Sequence, residues 1–225
     1  MAIDAGVLPP ESYIYAATSV RPLDEEPYDI ESIERVLGRD NLDVDSNLLL
    51  VRILQHLLRS TEQETALFAA EGINLIEGRY SSRIESIKES LGSPPRPRVV
   101  RELAFLYEEL SRLYETGSSL RGFYLREAFT WLSTIRSDPS FGGEEVERFI
   151  RILINLGLFD QAAQELETYP AEHETQLLFL EAEIEFHRRR YSRVTAICRE
   201  VHERWDSLSQ GERHILEQWL GTDEE

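Results

Sequence analysis

The stretch Leu156-Gly157-Leu158-Phe159-Asp160-Gln161-Ala162-Ala163 decides the fold. A small residue, then an aromatic, then a small residue three positions later suits a tight turn between two packed helices. The small residues let one helix lie close against its neighbour, and the aromatic fills the wedge at the turn. The pattern returns, degraded, where Ala182 and Phe186 precede Arg190-Tyr191-Ser192-Arg193-Val194. Tyr191 then matches Phe159 and Val194 matches Ala162, a period of 32 residues. A third echo lies upstream in Glu77-Gly78-Arg79-Tyr80-Ser81-Ser82-Arg83-Ile84. A helix pair of this kind is apolar on one side, so it needs a neighbour to cover it. Stacked pairs bury a continuous core and leave a concave groove lined by the first helix of each pair.

The rest of the chain reads as helical from Tyr28 onward. Asp29 is placed to cap a short helix carrying Ile30, Ile33, Val36 and Leu37, with Gly38 as its stop. Asp45 or Ser46 is expected to cap the next, where Leu49, Leu50, Ile53, Leu54, Leu57 and Leu58 follow i, i+3, i+4 spacing. Thr61 with Glu64 suggests a capping box for a helix over about 66–76, followed by a second helix holding Ile84, Ile87 and Leu91. Ser93-Pro94-Pro95-Arg96-Pro97 is the clearest break, because three prolines in four positions cannot continue a helix. Beyond it the periodicity predicts helices over 99–114, 123–135, 144–156, 159–168, 174–188 and 191–206, and a last short one from about 210 with Ile215, Leu216, Trp219 and Leu220. No alternating Val/Ile/Thr run predicts a strand. Residues 1–28, punctuated by Pro9, Pro10, Pro22 and Pro27, are expected to form a flexible or extended arm, with Tyr13, Ile14, Tyr15 and Val20 available for docking. The organisation expected is thus an arm over 1–28, a helical part over 29–92 and helical repeats over 98–221, or one continuous array over 29–221.

Composition narrows the function. A formal charge of −18 repels phosphate backbones and anionic lipid, which argues against a nucleic-acid or membrane-surface role. No run approaches the ~18 apolar residues of a membrane span. No basic n-region precedes an apolar stretch at the N-terminus, so the expectation is a cytoplasmic chain that meets a membrane, if at all, through a partner. One cysteine, Cys198, excludes an intrachain disulfide and sits in an apolar helical pattern with Ala196 and Ile197, as a buried structural thiol does. Lys88 is the only lysine, so the other cations are arginines suited to bidentate carboxylate pairing.

Little in the chain points to catalysis. His56, His173, His187, His202 and His214 form no HExxH and no di-iron Glu-x-x-His pair. Glu183 and His187 share a helix face at i, i+4, which fits a surface ion pair better than a metal site. Asp43-Val44-Asp45-Ser46-Asn47 begins like a calcium loop, but Leu48 stands where glycine is needed and Leu54 where the bidentate Glu is needed. There is no phosphate-binding glycine loop and no nucleophile elbow. Arg188-Arg189-Arg190 with Arg193 reads as a turn paired with nearby Glu, or else as a contact for an acidic partner. Tyr107, Tyr114, Phe123, Tyr124, Phe129 and Trp131 fall at helical spacing, as core residues do. No enzyme activity, cofactor or metal is expected.

The Gly157, Phe159 and Ala162 arrangement resembles the inter-helix turn of the tetratricopeptide repeat family, although Glu181 and Glu185 replace apolar residues of that pattern. The resemblance implies an all-α, short right-handed solenoid of antiparallel helix pairs that binds a peptide or helix of a protein partner. It also implies groove-facing positions at Arg151, Asn155, Glu183 and His187. The basic quartets of carboxylate-clamping members are absent. Two stretches, Glu64 to Tyr80 and Arg101 to Ala128, are similar to the helical-repeat region of the PelE-like accessory proteins of bacterial Pel-type exopolysaccharide systems. That similarity implies an accessory scaffold beside a polysaccharide synthesis and export complex, although the membrane helices of such proteins are missing here. The expected function is therefore a non-catalytic interaction scaffold. The alternatives are a regulatory subunit of an enzyme complex, or a self-assembling homo-oligomer that docks through Trp205 and Trp219.

Overall fold

A computed structural model describes residues 28–39, 42–93, 95–168 and 175–220. The expected N-terminal arm, apart from Tyr28, and His173 lie outside these residues. The described residues are all helical, with ten α-helices, one 3-10 turn and no strand. The helices are α1 (Ile30–Leu37), α2 (Val44–Leu57), α3 (Gln63–Ser90), α4 (Pro97–Arg112), α5 (Ser119–Thr134), α6 (Gly143–Asn155), α7 (Phe159–Thr168), α8 (Thr175–His187), α9 (Tyr191–His202) and α10 (Gln210–Leu220). None of the described helices is long and apolar enough to cross a membrane. The described residues fall into two compact units, one within 28–93 and 105–124, the other within 95–104 and 125–220.

In the first unit, Asp29 caps α1 as expected, its carboxylate accepting from the Ser32 backbone N–H at 3.3 Å. Ile33, Val36 and Leu37 are buried on one side of that helix. The cap of α2 is Asp43, whose carboxylate accepts from Ser46 N–H at 2.7 Å, rather than Asp45 or Ser46. Both of those residues already lie within the helix. Helix α3 departs furthest from expectation. It runs unbroken for 28 residues where two helices were expected, and it starts after Glu62 rather than from a Thr61 box. Thr65 Oγ1 instead donates to Glu62 at 2.8 Å.

The upstream echo, Gly78 to Tyr80, therefore lies in mid-helix and is no turn. The physical reason is burial. Thr65, Ala69, Gly72, Ile76, Tyr80, Ile84 and Ile87 recur every three or four residues as one buried stripe. Packing along that stripe outweighs the roughly 1 kcal/mol that a mid-helix glycine costs. Gly72 is where α3 comes closest to its neighbours. A Cβ there would lie 2.9 Å from a Leu54 methyl and 3.1 Å from a Leu37 methyl. The first unit also gathers Tyr107, Tyr114 and Tyr124, with ring centroids 6.2 Å apart for Tyr107–Tyr124 and 5.5 Å for Tyr114–Tyr124. Burial raises the Tyr114 phenol well above its ordinary value, reinforced by Glu77. Phe123, expected in the core, is exposed.

In the second unit, consecutive helices pack on one another: α6 on α7, α7 on α8, α8 on α9 and α9 on α10. Helix α6 also touches α8 directly. Three-residue connections join α6 to α7 and α8 to α9, too short for anything but antiparallel neighbours. Val146, Phe149, Ile150 and Leu153 form the buried side of α6. Ala182, Val194, Ile197, Cys198, Val201, Leu208 and Leu216 form one apolar cluster, with Trp205 and Leu220 packed against it. Cys198 belongs to this core, and burial pushes its thiol pKa up.

Candidate partner-binding face

The site is built on a helix ending used twice. Helix α6 closes with Gly157 at φ +75°, while Leu158 N–H donates to the Leu153 carbonyl and Gly157 N–H to the Ile154 carbonyl, both at 2.9 Å. This pair of bonds satisfies carbonyls that the helix end leaves open and turns the chain sharply. Helix α8 closes in the same way 32 residues later. Arg190 N–H donates to Glu185 O and Arg189 N–H to Phe186 O, again both at 2.9 Å, with Arg189 at φ +60°. The backbone thus repeats at the period that the sequence suggested, even where glycine has been replaced by arginine.

The period aligns side chains as well. Ile152 and Ile184 are equivalent, and one further step of 32 reaches Leu216; all three are at most 1 % exposed. The same shift carries Arg151 to Glu183 and then to Ile215, and Asn155 to His187 and then to Trp219. So α6, α8 and α10 present the same two outer positions, each helix in its own chemistry. They are polar on α6, acidic and aromatic on α8, and apolar on α10. Ile215 and Trp219 are 44 % and 37 % exposed. Helices α6 and α8 are in contact, and Phe186 of α8 meets Trp219 of α10 with ring centroids 5.5 Å apart.

Each residue expected at the groove has a definite neighbourhood. Arg151 is exposed and paired with Glu147 one turn earlier at 3.0 Å. Asn155 is exposed and donates to the Arg151 carbonyl at 2.8 Å. Glu183 is half-buried and has no hydrogen-bond or ion-pair partner among the described residues. It makes no ion pair with His187. That imidazole lies flat on Phe159, with centroids 4.5 Å apart and planes 10° off parallel. Phe186, 48 % exposed, continues the aromatic run by touching His187, Tyr191 and Trp219. Sequence reasoning named the first two helices of this face but not Phe186, Ile215 or Trp219 as part of it. Applying the 32-residue step once more would have found Ile215 and Trp219. Trp205, by contrast, is half-buried against the core with the Arg213 guanidinium 5.6 Å from its ring centroid.

The arginine cluster is tied up internally. Arg188 reaches Asp160 at 2.5 Å and Glu185 at 3.1 Å, Arg190 reaches Glu185 at 3.4 Å, and Arg193 reaches Glu181 at 2.8 Å. The hydrogen bond to Asp160 leads in holding the Arg188 guanidinium even more firmly protonated than usual. Glu185 occupies the repeat position of the buried Leu153 and is itself 7 % exposed. Apart from Asp160, these charges line a cleft of about 630 Å³ among α7, α8 and α9. Within it Glu185 is shared by Arg188 and Arg190, and Glu181 is paired with Arg193. In the first unit a cleft of about 640 Å³ is lined by Arg79, Arg83, Glu109, Asn47 and Tyr80. Burial first, then Glu109, pushes the Tyr80 phenol up to about 12. Among the described residues no group of three or more His, Cys, Asp or Glu side chains could hold a metal.

No family model, no curated protein and no solved structure matches this chain, so its site is defined by its own geometry.

Proposed function

We infer that this chain is a non-catalytic interaction module, a short right-handed tetratricopeptide-like array whose first helices hold a segment of a partner protein. The observation that carries this reading is the exposed apolar end of the repeated face, where Phe186, Ile215 and Trp219 lie together on α8 and α10. Aromatic side chains left open beside polar ones are what binding hot spots are made of. The face is carried on packed helices, so a partner meets a preformed surface. The similarity of residues 64–80 and 101–128 to PelE-like accessory proteins is what supports proposing an accessory role in an exopolysaccharide synthesis and export complex as the setting.

The test is affinity capture from the organism's own extract with the wild-type chain, an Ile215→Glu/Trp219→Ala chain and an Arg151→Glu/His187→Ala chain. A partner lost from the first variant at unchanged helicity supports the module and its apolar anchor. Loss from the second extends the contact to α6 and α8. A partner retained by both variants rules out this face. The exposure of Trp219 on α10 also favours a second reading, in which a second copy covers the face. A concentration-dependent dimer by sedimentation that Trp219→Ala abolishes would establish it.

A further inference from the structure

The chemistry around Glu183 says what kind of segment would sit there. Glu183 is one helical turn before Phe186 and His187, on the same side of α8. Phe186 is in ring contact with Trp219. A half-buried carboxylate without an internal cation thus stands beside exposed aromatic rings. The neighbouring arginines are already spent: Arg151 on Glu147, Arg188 on Asp160 and Glu185, Arg190 on Glu185. Arg189, two residues past His187, is the cation of this turn with no ion pair among the described residues. The field of the whole chain is strongly negative, at −18. Aromatic faces attract cations, and a carboxylate beside them supplies the counter-charge.

We propose that the segment taken by this face is basic and amphipathic, with an Arg or Lys side chain seated between Glu183 and the Phe186–Trp219 rings and an apolar side chain against Ile215. The proposal rests on the interaction-module reading and names its ligand class. An acidic or phosphorylated segment is disfavoured by the same field.

Three labelled amphipathic peptides of equal length and identical apolar stripe, flanked by Arg, by Gln or by Glu, separate the possibilities by fluorescence anisotropy at about 0.15 M salt, where long-range attraction is screened beyond roughly 8 Å. The Arg peptide is expected to bind about fivefold or more tighter than the Gln peptide, the size of one exposed charge contact plus one cation–π contact. Glu183→Gln should remove most of that advantage, and Arg189→Ala should increase it. Glu203→Gln, an exposed carboxylate on the same unit, should leave it unchanged. Trp219→Ala should weaken all three peptides. If Glu183→Gln does no more than Glu203→Gln, the cation seat is overturned, while a Trp219→Ala effect would still uphold the module. If Trp219→Ala changes no peptide, the module reading falls as well.

Discussion

Arg189 holds a left-handed backbone angle that its glycine counterpart, Gly157, adopts without strain. An L-residue there costs about 1 kcal/mol, because Cβ crowds the following carbonyl. A Cβ added at Gly157 would meet no atom within 4 Å, so the backbone angle alone sets its penalty. Gly157→Ala is therefore expected to destabilise the second unit by about 1 kcal/mol. Arg189→Gly is expected to stabilise it by roughly 0.5 kcal/mol, the gain being trimmed by the added freedom of the unfolded chain. Urea melts of the two variants check both signs. Glu185 gives a second test at this scale. It replaces the repeat's buried leucine, yet Arg188 keeps Asp160 and Arg190 is largely exposed. Glu185→Leu, matching Leu153, should leave no buried charge unpaired and shift stability by less than about 1 kcal/mol in either direction. A loss of several kcal/mol in the same melts would mean that the carboxylate holds the turn together.

At the scale of elements, α3 shows how packing can override a local signal. Gly78 lies in an open position of the helix, with nothing within 4 Å of an added Cβ. Gly78→Ala should stabilise by about 0.5–1 kcal/mol through helix propensity alone. Gly72→Ala gains the same propensity but forces a methyl against Leu54 and Leu37, so it should fall short of Gly78→Ala by about 1 kcal/mol or more. Paired thermal melts read this difference directly. The sequence made Gly78 look like a turn because a small residue and an aromatic two positions later also occur at the true turn. The distinguishing fact is long-range. Tyr80 is buried within reach of Asn47, 33 residues away, at 3.5 Å.

For the molecule as a whole, acidity is the main variable. Asp29 in the first unit is held below the ordinary carboxylate range chiefly by Ser32. Asp138 in the second unit is held below it chiefly by Ser140. A carboxylate whose folded pKa is depressed contributes fully above its ordinary value of about 4, and that contribution is lost as pH falls through the folded value. Both units should therefore lose stability below about pH 4. Asp29→Asn and Asp138→Asn chains should show a shallower dependence when melting is followed by circular dichroism from pH 6 to pH 3. A dependence unchanged by both substitutions would place the acid sensitivity in other groups.

The sequence by itself determined that the described residues are helical, where α1 and α6 to α8 begin and end, where α9 begins, and the 32-residue spacing between the turns at 157 and 189; α9 itself stops at His202, short of the expected 206, before the 3-10 turn Trp205–Ser207. Those features are local. Capping, proline geometry and apolar periodicity act over a few residues and are legible in any window that contains them. The alignment of Arg151 with Glu183 and of Asn155 with His187 follows from the same register. Only the tertiary structure decided that α3 is a single helix, that Glu185 is buried while Glu183 is left without a partner, and that Ile215 and Trp219 form the apolar end of the face. These outcomes depend on which neighbours arrive across 30 or more residues of chain. An isoleucine or tryptophan on an amphipathic helix has the same local signature whether its face is later covered or left open, because burial belongs to the packed assembly of helices and not to any one of them.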